Sequence, residues 1–152
     1  MEIKKKTNVT IISTNLNVSI LNFFSDYYVF KECLDLKKIK DYENVLFFNS
    51  LHMLSKENQI KLIKFLKDNK IKFINITNDI EQTLLTDYLI IINDKKIIAE
   101  GKTLALLNES KLLKRLGFNL PFLVDLSLML KDYDIIDKTY FNADDLIGAI
   151  WN

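Results

Sequence analysis

The residue types that most often do chemistry are scarce in this chain. His52 is its only histidine and Cys33 its only cysteine, so neither a His-based metal cluster nor an internal disulfide is expected. Asp132, Asp134 and Asp137 lie close together, but they lack the glycine and the terminal glutamate of a calcium loop. We therefore expect no metal site, interpret the aspartates as a solvated loop, and expect Cys33 to be a buried apolar thiol in a reducing compartment.

Composition limits the function classes further. The chain has 152 residues, 49% apolar and 27% charged, which is typical of a folded globular protein. Lysine and arginine number 21 against 20 acidic residues, so no global field attracts a polyanion and we expect no nucleic acid partner. The basic start is followed by an apolar stretch that Asn15, Asn17 and Asn22 interrupt. This pattern predicts neither a signal peptide nor a membrane span, and indicates a cytoplasmic protein.

Apolar and β-branched runs alternate with segments whose apolar residues recur at helical spacing. The predicted strands cover residues 9–13, 27–30, 45–48 and 72–76. The predicted helices cover residues 15–25 and 34–41, and a third runs from an N-cap at Ser55 to Asn69. Strands separated by helices predict right-handed βαβ units, so the fold class is α/β with a mainly parallel sheet flanked by helices.

The pattern changes in the last third of the chain. After a helical turn at residues 80–85, two strands at 88–92 and 96–99 flank a hairpin turn at 93–95. Only helices are predicted from Thr103 onward, with Gly117 as a left-handed C-cap and Pro121 at the start of a helix. The predicted helices cover residues 104–107, 110–116, 122–131 and 144–151. We therefore divide the chain into an α/β core, 1–102, and a small C-terminal helical extension, 103–152.

Two segments carry a resemblance to a known family. Residues 87–101, from Asp-Tyr-Leu-Ile to Ala-Glu-Gly, resemble the close of an ABC ATPase core. Residues 112–131 and 141–147 resemble the C-terminal extension of the energy-coupling-factor transporter ATPases, with Leu-Pro-Phe at 120–122 as the most specific part. The resemblance implies a truncated, P-loop-NTPase-like sheet. Because residues 26–44 are too few for the family's helical subdomain, we expect that subdomain to be lacking.

The resemblance also assigns positions for ATP chemistry. Residues 13–20 fall at the phosphate loop, and they contain neither glycine nor lysine. Asn49 and Ser50 replace the Asp and Glu of the Walker B motif, Asn78 replaces the switch His, and Ser55 replaces the Asp of the D-loop. These are the positions at which the family binds phosphate, holds Mg²⁺ and orients the attacking water.

Chemistry indicates what these substitutions mean. A phosphate loop needs glycines so that backbone N–H groups can surround the phosphate oxygens, and it needs a lysine for the β- and γ-phosphates. Asn49 supplies no negative charge for Mg²⁺, and Ser50 is no carboxylate that could orient or deprotonate water. Asn78 does not titrate near neutrality as histidine does. We therefore expect the chain to have no catalytic residues and no cofactor site, and not to be an active ATPase.

Two functions remain open. The first is a catalytically inactive ABC-ATPase-like protein that acts as an interaction, dimerisation or regulatory module of an energy-coupling-factor transporter. Its partner would be itself or an intact ATPase, which would place the chain at the inner face of the membrane without insertion. The alternative is a nucleotide- or small-molecule-binding enzyme remnant completed in trans by a partner ATPase. The candidate interface residues for the first are Leu120, Pro121, Phe122, Leu123, Leu126, Met129 and Leu130.

Overall fold

The computed structural model describes residues 3, 6–31 and 37–151, and within them it contains six β-strands and five α-helices. The strands are β1 (Asn8–Ser13), β2 (Tyr28–Phe30), β3 (Asn44–Phe48), β4 (Lys72–Thr77), β5 (Tyr88–Asn93) and β6 (Lys96–Lys102). The helices are α1 (Lys56–Asp68), α2 (Thr103–Leu107), α3 (Ser110–Arg115), α4 (Phe122–Asp132) and α5 (Ala143–Trp151). Short 3-10 helices cover Val18–Phe23, Ile39–Asp41, Leu51–Met53 and Ile80–Leu85.

All six strands belong to one sheet, in the order β2-β3-β4-β1-β5-β6. The first five strands run parallel, and β6 pairs antiparallel with β5. The turn between β5 and β6 places Asp94 at a φ of 46° and Lys95 at a φ of 64°, which is the backbone of a two-residue hairpin that follows the strand twist. The prediction of a mainly parallel α/β sheet closed by a hairpin is therefore confirmed.

The two faces of the sheet are covered differently. Alternate side chains of each strand point to opposite faces. One face, the helix-covered face, packs against α1 near β3 and against the C-terminal helices near β1 and β5. On the other face, the open face, the strands pack mainly against the connection between β1 and β2. The open face presents Val9, Ile11, Leu46, Ile74, Ile76 and Ile90.

Helix α1 follows the sequence signals closely. The Ser55 side chain accepts a hydrogen bond from the Asn58 backbone N–H at 3.3 Å, and so caps the first turn. Leu62, Ile63 and Leu66 recur on one side of the helix and are buried, while the intervening lysines stay exposed. The predicted N-cap and apolar stripe are confirmed.

The C-terminal helices pack onto the core. Leu113, Leu120 and Val124 join a buried cluster with Ile12 and Leu89 of the sheet. Helix α4 is also attached at its start, because its first backbone N–H, that of Phe122, donates to a Glu81 carboxylate oxygen at 2.6 Å. Gly117 has a φ of 80° directly after α3, as the predicted left-handed cap requires. The proposed extension thus shares its buried surface with the sheet.

The predicted helix at residues 15–25 is wrong in type and length. Only Val18–Phe23 is helical, and it is a 3-10 helix. The Asn17 side chain accepts from the Ser19 backbone N–H at 2.9 Å and caps this helix, so that it begins at Val18 and not near residue 15. Cys33 and residues 34–36 of the helix predicted at 34–41 lie outside the described residues, and in the described remainder only Ile39–Asp41 is helical, as a 3-10 helix. None of the helices in the described ranges is long and apolar enough to cross a bilayer.

Candidate functional site

The positions that the resemblance assigns to ATP chemistry follow the carboxyl ends of neighbouring parallel strands, and these ends form one edge of the sheet. Strands β3, β4 and β1 are adjacent and parallel, so their carboxyl ends meet there. Ser13 ends β1, Asn49 follows β3 and Asn78 follows β4. The Asn49 backbone N–H donates to the Ile76 carbonyl at 2.8 Å, which ties the end of β3 to β4. Ligands bind outside this edge in open α/β sheets.

Ser50 is turned away from this edge and into the protein. The residue is fully buried, and its hydroxyl donates to the Phe30 carbonyl at 2.9 Å, across the sheet toward β2. The preceding Asn49 has a φ of 47°, a left-handed conformation that asparagine tolerates better than most residues. The side chain at position 50 is therefore neutral and engaged in a structural hydrogen bond.

The polar groups that follow β1 bond to one another. The Ser13 hydroxyl accepts from the Asn15 backbone N–H at 3.2 Å and donates to the Asn15 carbonyl at 3.0 Å. The Asn17 carboxamide occupies the Ser19 N–H. A phosphate site needs several consecutive N–H groups that point at one ligand. In this segment at least two backbone N–H groups, those of Asn15 and Ser19, are already bonded to side chains.

The remaining candidates lie apart from each other. Asn78 is exposed, and His52 is exposed on the 3-10 helix Leu51–Met53. Asp134 and Asp137 are exposed after α4, as the solvated-loop interpretation predicts, whereas Asp132 is exposed but is the last residue of the helix. In the part of the chain that the structure describes, no group of three or more His, Cys, Asp or Glu side chains is arranged to hold a metal ion.

Comparison with known proteins identifies the relationship. No family model matches the chain. Residues of the chain align with the energy-coupling factor transporter ATP-binding protein EcfA1 of Lactobacillus delbrueckii subsp. bulgaricus at 29% identity, over 63% of this chain and 35% of that protein. EcfA1 of Mycoplasma mobile is 30% identical over 72% of this chain and 40% of its own length. The chain resembles part of an ABC-type, energy-coupling-factor transporter ATPase. EcfA1 of Ligilactobacillus salivarius is 36% identical over 58% of this ABC-ATPase-like chain and 32% of its own length.

The match is partial. The ABC-ATPase-like chain spans about a third of the length of the curated relatives it matches first, 35% of the first two. Among solved structures, CbiO1 of Clostridium perfringens, described as part of the ABC transporter complex CbiONQ, aligns with a TM-score of 0.40 and 19% identity over 52% of this chain and 34% of that one. The six-stranded, mostly parallel sheet flanked by helices is consistent with a truncated P-loop-NTPase-like fold.

A buried polar layer beneath the helix-covered face was not anticipated from the sequence of this ABC-ATPase-like chain. Asn75 lies in the middle of β4 with no exposed surface, and its side-chain NH₂ donates to the Gln82 carboxamide oxygen at 3.0 Å. Nearby, the Thr86 hydroxyl donates to the Thr10 hydroxyl at 2.7 Å. The Asn75 carboxamide oxygen has no hydrogen-bond partner among the described residues. A single asparagine inside an apolar strand, Phe-Ile-Asn-Ile, is the signal that could have predicted this layer.

The Asn75–Gln82 pair should behave as a unit. Replacing Asn75 with valine leaves the buried Gln82 oxygen without its donor, so we expect a loss of about 1–3 kcal/mol in the free energy of unfolding. In the double variant Asn75→Val/Gln82→Leu both partners become apolar, and we expect most of that loss to be recovered. Urea unfolding of the wild type, both single variants and the double variant measures the coupling. Losses that simply add would contradict the paired arrangement.

Asp87 joins the beginnings of β1 and β5. Its carboxylate accepts from the Asn8 side-chain NH₂ at 2.8 Å and from the Lys67 ammonium at 3.2 Å, and its backbone N–H donates to the Asn8 carboxamide oxygen at 2.6 Å. Partial burial, the largest single influence, raises the pKa of Asp87. The hydrogen bonds from Asn8 and Lys67, together with the lysine charge, outweigh it and lower the pKa below its usual value.

Lys67 should therefore influence stability in acid. With a native pKa below the unfolded one, Asp87 contributes stability above its ordinary pKa, and that contribution is lost as the pH falls through the native pKa. In Lys67→Met we expect the Asp87 pKa to rise and the stability above pH 4 to fall by less than about 1 kcal/mol, because the Asp87 side chain is 74% exposed. An NMR titration of the Asp87 carboxyl measures the shift. Lys61→Met, which removes the Glu57 partner on the same helix, is the matched control and should leave it unchanged.

The predicted interface residues differ in accessibility. Leu120 and Pro121 are buried within the chain, which corrects their assignment to a surface. Phe122 is 67% exposed and Met129 53% exposed. The remaining members of the predicted set, Leu123, Leu126 and Leu130, are half-buried.

Proposed function

We propose that this chain is a catalytically inactive, ABC-ATPase-like protein that acts as an interaction module of an energy-coupling-factor transporter. Its partners would be a second copy or an intact ATPase of the transporter, at the inner face of the membrane. The family resemblance supports this setting, since the curated relatives are named as transporter ATP-binding proteins.

One observation carries the proposed inactivity. At the position where the resembled ATPases carry a catalytic carboxylate, Ser50 is fully buried and donates its hydroxyl to the Phe30 carbonyl. A group in this orientation does not reach a water molecule outside the sheet edge. The neighbouring Asn49 adds no negative charge for a metal ion. The edge therefore offers no group for water activation at these positions.

The proposed interaction rests on an exposed apolar stripe along α4. Phe122, Leu126, Met129 and Tyr133 recur at intervals of four, three and four residues, so they lie on one side of the helix. Tyr133, directly after the helix, is 76% exposed, and Phe122 and Met129 are also largely exposed. We call these four residues the α4 stripe. Contiguous exposed apolar surface of this kind is typical of protein-binding sites.

Binding of ATP is the direct test of inactivity. We expect calorimetric titration with Mg²⁺ and ATP to give no saturable heat up to about 1 mM, the upper range of ordinary substrate constants. An intact ATPase relative, titrated in the same buffer, serves as the positive control. Saturable binding by this chain would contradict the proposal and favour the remnant completed in trans. Light scattering in the same buffer is expected to give about twice the monomer mass, or the mass of a complex once the intact ATPase is added.

A further inference from the structure

The open face of the sheet contains a cavity that the proposed interaction does not use. Its volume is about 470 Å³, within the range of pockets that bind small molecules. Its accessible apolar lining comes from Leu16 and Ile20 of the connection between β1 and β2, and from Ile92 and Ile97 of the β5–β6 hairpin. The isoleucines of the sheet beneath it are fully buried.

The described lining of the cavity is mainly apolar and carries charge of one sign. Among its described residues, Lys95 is the only one with a charge, and no carboxylate is present. Apart from Lys95, the polar lining consists of neutral serine and asparagine side chains from the segment after β1. An apolar lining of this size holds water poorly and favours an apolar occupant. One cation beside such a lining fits a ligand with one anionic group and an apolar body.

We propose that the cavity binds a single-chain alkyl carboxylate, with its chain between the β1–β2 connection and the β5–β6 hairpin and its carboxylate beside Lys95. This lining disfavours a nucleotide, because its phosphates would lie against apolar side chains with a single lysine to neutralise them. The lone cation distinguishes a carboxylate from a neutral hydrocarbon or an alkyl amine. This inference goes beyond the proposed interaction function and does not depend on it.

A chain-length series tests the proposal. Calorimetric titration with hexanoate, octanoate and decanoate, each below its micelle concentration, should show affinity rising about fourfold per methylene, since each buried methylene contributes about 0.8 kcal/mol. Decanol and decylammonium should bind more weakly than decanoate. Affinity that does not depend on chain length, no decanoate binding, or decylammonium binding as tightly as decanoate would each overturn the proposal.

Two neighbouring residues provide a matched pair of variants. Ile97 and Ile98 of β6 are both 43% exposed, and Ile97 lines the cavity whereas Ile98 does not. We expect Ile97→Glu to weaken decanoate binding at least tenfold, because it places an anion at the cavity, and Ile98→Glu to leave binding within about twofold. Thermal unfolding verifies that both variants fold. Equal losses in the two variants would overturn the assignment of the cavity as the binding site.

Discussion

Replacing Ser50 with glutamate is expected to lower the free energy of unfolding by at least about 3 kcal/mol. The new side chain restores the residue type that the resembled ATPases carry, but it enters a fully buried position whose hydroxyl now donates to the Phe30 carbonyl. A carboxylate cannot donate that hydrogen bond, and burying its charge costs free energy that a hydroxyl does not. Urea unfolding followed by circular dichroism measures the loss, and Mg²⁺-dependent ATP hydrolysis should remain undetectable.

Two controls separate the buried charge from the lost hydrogen bond. Ser50→Ala removes only the hydrogen bond and should cost about 1–2 kcal/mol. Ser55→Glu places the same charge at the exposed N-cap of α1, where the change should be below about 1 kcal/mol. If Ser50→Glu were as stable as Ser50→Ala, position 50 would have to open toward solvent. A side chain at this position could then reach a water molecule, which would contradict the proposed inactivity.

The double variant Phe122→Glu/Met129→Glu should abolish self-association or binding to the intact ATPase. Buried apolar anchors typically contribute 2 kcal/mol or more each to an interface, so a loss of roughly 100-fold or more in affinity is expected. The wild-type side chains are 67% and 53% exposed in the single chain, and the substitutions should therefore cost little folding stability. Sedimentation velocity at several concentrations, with and without the ATPase, measures the change.

Ile60→Glu is the control for that experiment. Ile60 lies on α1 and is 61% exposed, so the substitution adds a charge to another exposed apolar position away from the α4 stripe. We expect its association to match the wild type. A wild-type chain that is monomeric at every concentration and does not bind the ATPase would refute the interaction proposal. Equal effects of the variants on α1 and α4 would refute the choice of surface.

Much of the fold was predictable because its signals are local. The Ser55 cap and the apolar spacing of α1 identify that helix, and the short apolar runs identify the strands. Gly117 marks the end of α3, and residues 93–95 mark the hairpin. Strand order depends on pairings between distant segments, such as Asn8 with Phe73, and local patterns do not contain them. The resemblance assigned residues after β1, β3 and β4 to ATP chemistry, and the structure shows that these strands are neighbours in the sheet.

The errors have physical causes. Leu16, Ile20 and Phe24 recur at helical spacing, but the Asn17 side chain caps the helix so that it begins at Val18, and Leu16 therefore lies before it. Leu120 belongs to an apolar run that sequence alone cannot divide into surface and core, and the structure buries it against the sheet. The cavity and the Asn75–Gln82 pair depend on how distant elements pack. Neither has a motif by which it can be recognised.

The central position of β1 also determines when this protein can fold during its synthesis. Its neighbours in the sheet are β4 and β5, and the bond from Asn8 to Asp87 spans 79 residues. At about 5–20 residues per second, a ribosome takes roughly 4–16 s to add that length. Until β4 is synthesised late in this interval, the apolar β1 has neither of its two neighbouring strands available within its own chain. A nascent chain therefore exposes an unpaired strand for seconds, which makes it a substrate for holding chaperones before the sheet closes.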